Sequence, residues 1–575
     1  MLARLLLVAA IGLAVAAAVA GAIDGLDDHV RVFGLCGGAV AVAVGRALTR
    51  GRRWSDEATD GALVAGIALA AIDREGSWPA LFGGIAAGLA VLAGLAHRLG
   101  ARVAVAVGVV GLAVAATQSP GRVLPGLHTW NQYHYVLGTK YYAEVGYQDL
   151  YVATLLADED GAGHFAKVRR VRDMRTYDYV PRAEALAKAR AEGLRERFTD
   201  ARWADFKHDL DVFWPLMGAA TWPSVLTDLG FNPSPVWVAI HQPILKVVPL
   251  SKAALQGLAA LQIPMYAAML AASAWAFGAR ATLWLVLWNV LFFGSRGRLY
   301  GGYWSYDWLA LVVVAAALVA KGRPALAAVP VAIGGLMRGF GGLLATGPAV
   351  QWAATLLRER RLDAWATRFL VSLAITMLGL GALSLTAGRG LDAWPDWLDK
   401  IEFHSWRIST GGRHLGLKVL FGEDWSTPGH TADLDARREI YRSQAWAYHV
   451  VQGVLIAWTA WVAWRRARLD AALLGMIPAF ATMVLSRYYY AAWSVLLLLG
   501  TRDGDREPRL PVALGMLAIL ALHEGQFLIE GTTPDSRHQA VNLLLLALAV
   551  VTLAVYTVGD LRGRRDLAPR DPSPP

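Results

Sequence analysis

The sequence predicts an all-α, polytopic membrane protein, and three observations carry that expectation. The chain has 575 residues, of which 56% are hydrophobic and only 17% charged. Many of its apolar runs are long enough to cross or enter a hydrocarbon layer. Those runs are continuous rather than alternating, so spans that satisfy their own backbone hydrogen bonds must be helices and not barrel strands. Roughly sixteen membrane segments follow from this pattern. The formal charge of +10 sits in short basic clusters between apolar runs. Membrane topology explains such clusters, and no nucleic-acid partner is needed. Cys36 is the only cysteine, which excludes internal disulfides and cysteine-based metal sites.

Residues 1–118 read as five crossings, near 4–22, 30–48, 60–72, 78–96 and 102–118. The opening MLARLLLVAAIGLAVAAAVAGA is similar to a signal peptide in its early Arg4 and apolar core, so a cleaved leader and a retained first span are both readings of it. Basic loops (RGRR at 50–53; His97, Arg98, Arg102) alternate with acidic or mixed ones (Asp24, Asp27, Asp28; Asp73 to Glu75). That alternation needs the first segment as a crossing, and it places the amino terminus in the cytoplasm and Gln118 outside.

Residues 119–252 form the largest hydrophilic region, expected as an extracytoplasmic helical subdomain. It opens with LPGLHTWNQYHYVLGTKYYAEVGYQDLY at 124–151, where Trp130, Tyr133, Leu137, Tyr141 and Val145 recur at helical spacing and Gly146 is the expected stop. On such a helix His134, Gly138 and Tyr141 share a face, and Lys140 and Glu144 stand one turn apart. One reading is an aromatic helix at a membrane surface with an exposed ion pair. The other is a reaction or binding site beside the bilayer. Further on, Pro181 opens an Ala-rich charged helix, and Asp200 can cap a second one carrying Trp203, Phe206, Leu210, Phe213 and Met217 on one stripe. That stripe suits either an interfacial helix or packing on the subdomain's own core.

The membrane core, 253–387, shows segments near 253–277, 281–293, 305–320, 324–357 and 368–387. The run 324–357 is too long for one span and is broken by MRGFGG at 337–342, which predicts two short helices. A second outer loop spans 388–444 and contains HSWRISTGGRHLGLKVLF. The carboxy-terminal segments fall near 445–464, 470–485, 490–500, 510–529 and 540–559. RERR, WRRAR, TRDGDREPR and LRGRR then lie on the inside of the plasma (inner) membrane, with both termini cytoplasmic. Residues 560–575 end in APRDPSPP, a polar tail without a composition that would order it.

The outward polar groups include His128, Asn131, His134, Lys140, Glu144, Asp149, the acidic run 158–160 and the basic group Arg169, Arg170, Arg172, Arg175. Carboxylates beside cations suit proton abstraction from a hydroxyl together with stabilisation of a phosphate leaving group. The acidic run reads equally as a solvated loop. Arg338 lies among apolar residues, where an arginine is expensive unless paired or facing water. Arg298 and Asp307 in SRGRLYGGYWSYDW, and Arg487 in SRYYY, can approach it from neighbouring turns. Three arginines together would hold a phosphate or diphosphate, whereas singly each can anchor to headgroups. No P-loop, dinucleotide fingerprint or HExxH occurs in a credible context. His128 and His134 are six apart, poor spacing for a metal on one helix face, and a divalent cation is left open.

Three stretches together resemble the GT-C type membrane glycosyltransferases: HTWNQYHYVLGTKYYAEVGYQDLY after a core span, SYDWLALVVVAAALVAKGRPALAAVPVAIGGLMRGFGGLL with its short paired helices, and SRYYYAAWSVLLLL. They cover about half the chain. The resemblance implies transfer of a sugar from a polyprenyl-phosphate-linked donor in the membrane lipid to a glycan, lipid or protein acceptor at the extracytoplasmic face. Family members carry an acidic residue early in the first outer loop, and the matching positions here are Trp130, Asn131 and Gln132. The resemblance therefore implies a catalytic base among His134, Glu144 and Asp149, with Lys140, Tyr141, Arg298, Asp307, Arg338, His404 and Arg487 binding substrate. A transporter or flippase of an anionic lipid or glycan, and a catalytically degenerate scaffold, are the other readings.

Overall fold

The computed structural model describes residues 127–292, 301–408, 410–428, 433–500, 516, 519 and 533–561. The five crossings expected in 1–118, almost all of the segment near 510–529, Arg298 and the proline-rich tail lie outside the described residues. What is described is mostly helical, with two small antiparallel two-stranded sheets. Its buried apolar side chains divide into two clusters, one centred on the region after His128 and one on the apolar helices that follow.

The expected aromatic helix forms, but in pieces. Thr129–Gln132 runs through a π turn, Tyr133–Leu137, into Gly138–Lys140, and after a break at Tyr141 the segment Tyr142–Val145 ends at Gly146 (φ 54°). A π turn carries an extra residue per turn and rotates the side chains that follow it. Tyr133, Tyr141 and Tyr142 are thereby all buried in one core. Leu150–Glu159 follows, then a hairpin pairing Val171 with Val180, and Arg182–Ala191 starts directly after Pro181 as expected.

The helix Asp200–Met217 is capped by Thr199, whose side chain accepts from the Arg202 N–H, and not by Asp200. Its stripe of Trp203, Phe206, Leu210, Phe213 and Met217 is buried. Tyr141 meets Phe206 edge-on at 4.8 Å, and Tyr133 meets Phe213 at 6.1 Å. These rings have found partners inside the subdomain, so the interfacial-plane reading of this helix is not what the structure shows.

In the second body Lys252–Ala260 leads into Gln262–Leu291, kinked at Gly278, followed by Asp307–Ala320 and Pro324–Arg338. The long apolar run divides where the glycines predicted. Gly339 (φ 76°) ends Pro324–Arg338, a 3-10 segment Phe340–Ala345 turns back, and Thr346–Glu359 continues. A Cβ on Gly341 would lie 2.7 Å from the Gly334 backbone, so the return path needs glycine at 341.

Among the described residues three helices are long and apolar enough to cross a membrane: Lys252–Gly278, Ala364–Ser384 and Pro534–Val558. Ala364–Ser384 exposes Val371, Ile375 and Leu378, a surface that fits hydrocarbon and not water. Roughly sixteen crossings are not shown among the described residues, which leave out the five expected before residue 118. The run 470–500, expected to hold two of them, is instead Arg468–Leu474, Met476–Thr482, a two-residue strand paired with His414–Leu415, and the 3-10 helix Arg487–Leu498. Residues such as Val495, Leu496 and Leu498 are buried against the protein itself. Hydropathy registers burial in protein and burial in lipid alike, which is why these pieces read as spans.

Candidate functional site

The charged residues of the opening stretch are all engaged. Lys140 pairs with Asp209 at 2.8 Å, and the Tyr141 hydroxyl donates to the same carboxylate at 2.8 Å. The Arg202 guanidinium donates to Glu144 Oε1 at 2.7 Å and to the Lys140 carbonyl at 2.8 Å. Asp149 is held by Arg197 at 2.8 Å and Arg175 at 3.0 Å. Lys140 and Glu144 do not form the exposed pair that one turn of helix suggests. Each is buried and faces the helix Asp200–Met217, a long-range partner that local spacing cannot reveal.

His134 is buried too. Its Nδ1 lies 2.9 Å from the Trp130 carbonyl, which can only accept, so Nδ1 carries the proton. Nε2 then accepts from the Tyr151 hydroxyl at 2.7 Å. Burial, opposed by the charge of Asp228, holds the imidazole pKa below its ordinary value. This is a neutral histidine with both nitrogens committed.

The positions where the family acid is expected serve the next part of the fold. Trp130 Nε1 donates to Asp228 at 2.7 Å, Asn131 Oδ1 accepts from the Tyr303 N–H at 2.9 Å, and Gln132 Nε2 donates to the carbonyls of Gly301 and Leu255 at 2.9 and 3.0 Å. Asn131 and Gln132 clamp the turn 301–306 that introduces the helix Asp307–Ala320. Within that turn Trp304 adopts φ 47°, a left-handed backbone that costs a bulky residue energy.

That turn places Asp307 beside Arg338, with Arg338 Nε 3.8 Å from Asp307 Oδ1 and the two side chains 6% and 5% exposed. Arg338 Nη1 donates to the Tyr135 hydroxyl at 2.8 Å, and its guanidinium lies 5.0 Å from the rings of both Tyr135 and Trp237. Asp307 Oδ1 accepts from the Trp308 N–H at 2.7 Å, which leaves Oδ2 without a hydrogen-bond partner among the described residues, as is Arg338 Nε. His241, four residues after Trp237, shares a 2.9 Å hydrogen bond with the Tyr303 hydroxyl. Burial and the Arg338 charge push His241 down to about 3, so it is neutral. Burial raises the Tyr135 hydroxyl to about 12, against the pull of Arg338. Arg487 opens the 3-10 helix that carries Tyr489 close enough to influence Tyr135. The site is thus a seam: Tyr135, Trp237 and His241 come from the subdomain, Asp307 and Arg338 from the ends of two short apolar helices.

Of the residues chosen from sequence, the structure joins Asp307 to Arg338 and keeps His134, Lys140, Tyr141, Glu144 and Asp149 inside the subdomain. His404 is elsewhere, hydrogen-bonded to Tyr177 at 2.8 Å and pushed down to about 3 by burial and by Lys400. Tyr135, Trp237, His241 and Asp209 were not singled out. Asp209 had a signal, since it stands three residues after Phe206 on an otherwise apolar stripe. No group of three or more His, Cys, Asp or Glu side chains suited to a metal ion occurs among the described residues. Comparison with protein-family models, curated proteins and solved structures finds no match to the chain.

Proposed function

We propose that the chain is a membrane glycosyltransferase that moves a sugar from a polyprenyl-phosphate donor to an acceptor at the extracytoplasmic face of the inner membrane. The observation that carries this reading is the Arg338 and Asp307 pair, buried at the seam with one unsatisfied donor and one unsatisfied acceptor. Buried polar atoms are nearly always satisfied, and a ligand is one way in which such an exception is completed. The short apolar helices give an isoprenoid tail lateral access, and the Arg338 fork receives the phosphate. Asp307 takes the proton of the acceptor hydroxyl as that oxygen bonds to the anomeric carbon. The bond from that carbon to the phosphate oxygen breaks, and Arg338 neutralises the departing charge. His134, Glu144 and Asp149, cast as bases by the sequence, hold the loop in place.

Arg338→Lys keeps the charge and loses the fork. It should weaken binding of a polyprenyl monophosphate in nanodiscs about tenfold, while Asp307→Asn should abolish transfer with binding retained. Equal binding by wild type and Arg338→Lys would sink the assignment. One observation favours a second reading, a non-catalytic binding protein or scaffold: Trp130, Asn131 and Gln132 are all committed to structural hydrogen bonds. That reading expects Asp307→Asn to leave the cellular phenotype intact.

A further inference from the structure

The second outer loop docks on the subdomain through a helix, Ala393–Ile408, and its one long buried side chain among the described residues is a lysine. At helical spacing Ala393, Trp397, Lys400 and His404 share a face. That face meets the hairpin at 170–181 and the segment that precedes the helix Pro235–Val247. The Tyr177 hydroxyl shares a 2.8 Å hydrogen bond with His404 Nδ1, its ring meets Phe403 edge-on at 5.1 Å, and Trp397 Nε1 donates to the Asn232 carbonyl at 3.2 Å. Tyr177 makes these contacts from a left-handed backbone (φ 61°), which costs a bulky residue energy. Leu398 and Trp406 are exposed on the other side of the helix.

The charges around the docking face do not compensate it. Lys400 Nζ has no hydrogen-bond partner among the described residues and lies 4.5 Å from the Tyr177 ring. Arg172, the hairpin cation nearby, donates only to uncharged acceptors: the Thr227 carbonyl at 2.8 Å, the Tyr179 hydroxyl at 2.7 Å and the Tyr177 carbonyl. The acids in reach are engaged. Asp173 holds Lys188 at 3.0 Å and the Arg175 N–H at 2.8 Å, Asp228 accepts from Trp130 at 2.7 Å, and Asp396 pairs with Arg389 at 2.9 Å. Asp399 and Glu402 lie on the exposed side of the helix, and His414 opposes a charge on His404. A proton taken up by His404 therefore enters one turn from Lys400 with no carboxylate free to receive it.

We propose that the helix Ala393–Ile408 is an acid-released strap, docked while His404 is neutral and freed when it takes a proton, with Lys400 keeping the docked state marginal. Burial, then Lys400, pushes His404 from 6.5 down to about 3. Docking should thus weaken up to about tenfold per pH unit as the pH falls from 6.5 toward 3. Lys400, pushed down to about 7 mainly by burial, exacts its full cost at the top of that window. Release frees Asn232, three residues before the helix that brings Trp237 and His241 to the seam. Control of transfer by this release rests on the proposed transferase function, whereas the release itself does not.

The test uses the full-length protein in nanodiscs, without donor, with Cys36→Ser removing the only native thiol. Spin labels at Glu402→Cys on the strap and Glu184→Cys on the subdomain, both exposed positions, report the distance by pulsed EPR. One short population is expected at about pH 7.5 and a second, longer one at about pH 5. His404→Gln keeps an acceptor for Tyr177 and takes no proton, so it should stay docked at both. Lys400→Met removes a buried charge and should move release about one pH unit or more lower. A control pair inside the subdomain, Glu184→Cys with Ala204→Cys, should keep its distance. The proposal falls if the strap distance does not change with pH, if His404→Gln releases as its parent does, if Lys400→Met leaves the release unshifted, or if both label pairs lengthen together, which is unfolding. Release without transfer from a polyprenyl donor at any pH would retain the strap and remove the transferase reading. Transfer by a strap that stays docked at every pH would do the reverse.

Discussion

Two groups of charged side chains flank the same opening stretch and differ in one respect. In the subdomain, Lys140, Asp209, Glu144 and Arg202 pair at 2.7 to 2.8 Å. At the seam, Arg338 and Asp307 stand 3.8 Å apart, and each keeps an atom unsatisfied. Residue types and burial are alike, so neither identifies a site. What separates them is contact between the partners: Glu144 Oε2 is also without a hydrogen-bond partner among the described residues, but its pair is closed at 2.7 Å and stabilises the fold, whereas a pair open at 3.8 Å has room left for a ligand.

The largest expected effect tests the closed side. Asp209 is almost fully buried and receives both Lys140 and the Tyr141 hydroxyl. Asp209→Ala strands a buried ammonium and should cost about 3–5 kcal/mol of stability. It should be read as a marked fall in the thermal unfolding midpoint in detergent, beyond any fall from Asp307→Asn. If Asp307→Asn proves the more damaging to folding, the contrast between closed and open pairs is reversed.

The next effect concerns a cation that lies outside both groups. Lys400 is 4% exposed, its Nζ has no hydrogen-bond partner among the described residues, and the Tyr177 ring lies 4.5 Å away. Burial, with Arg172 adding to it, pushes Lys400 down to about 7 from 10.5. Between those values the folded state binds fewer protons than the unfolded chain, so stability rises with pH across the window. The full cost applies below pH 7. Lys400→Met should therefore stabilise the protein at or below pH 7, by at most about 5 kcal/mol, since a pKa unit is worth about 1.4 kcal/mol. The gain should shrink toward pH 10.5, as chemical denaturation at several pH values can show. A pH-independent gain would mean that packing, and not the buried charge, sets the effect.

The legibility of the sequence follows the same division. Local signals held: Gly146 ends its helix, Pro181 precedes one, and the MRGFGG break divides a long run, because glycine and proline act on their own backbone. The proximity of Arg338 and Asp307 was legible too, since an arginine among apolar residues demands a partner. Pairings across 58 to 69 residues were not. Lys140 with Asp209 and Glu144 with Arg202 depend on a helix whose own pattern shows only which face is buried. The two spans expected in 470–500 were misread for a different reason, because that run is buried by protein and hydropathy does not record against what.

The smallest effect sharpens the comparison at the level of the backbone. Trp304 (φ 47°) and Arg360 (φ 54°) both sit in the left-handed region. Arg360 has a local reason, for it closes the helix Thr346–Glu359 with an exposed side chain, a position where glycine is usual. Arg360→Gly should raise stability by about 1 kcal/mol and leave phosphate binding at the seam unchanged. Trp304 has no helix to close. It lies three residues before Asp307 in a turn clamped by Asn131 and Gln132, and its ring is 5.8 Å from His241. Strain kept at such a place is affordable only where the surroundings enforce it, and it is expected where geometry matters to a ligand. Trp304→Gly should relieve the backbone while loosening the turn that aims Asp307 at Arg338. Its mark should be weaker polyprenyl-phosphate binding in nanodiscs, out of proportion to any change in the unfolding midpoint. If affinity and midpoint move together, as they would for an ordinary packing residue, the strained turn belongs with the closed side of the comparison and the seam loses its positioning element.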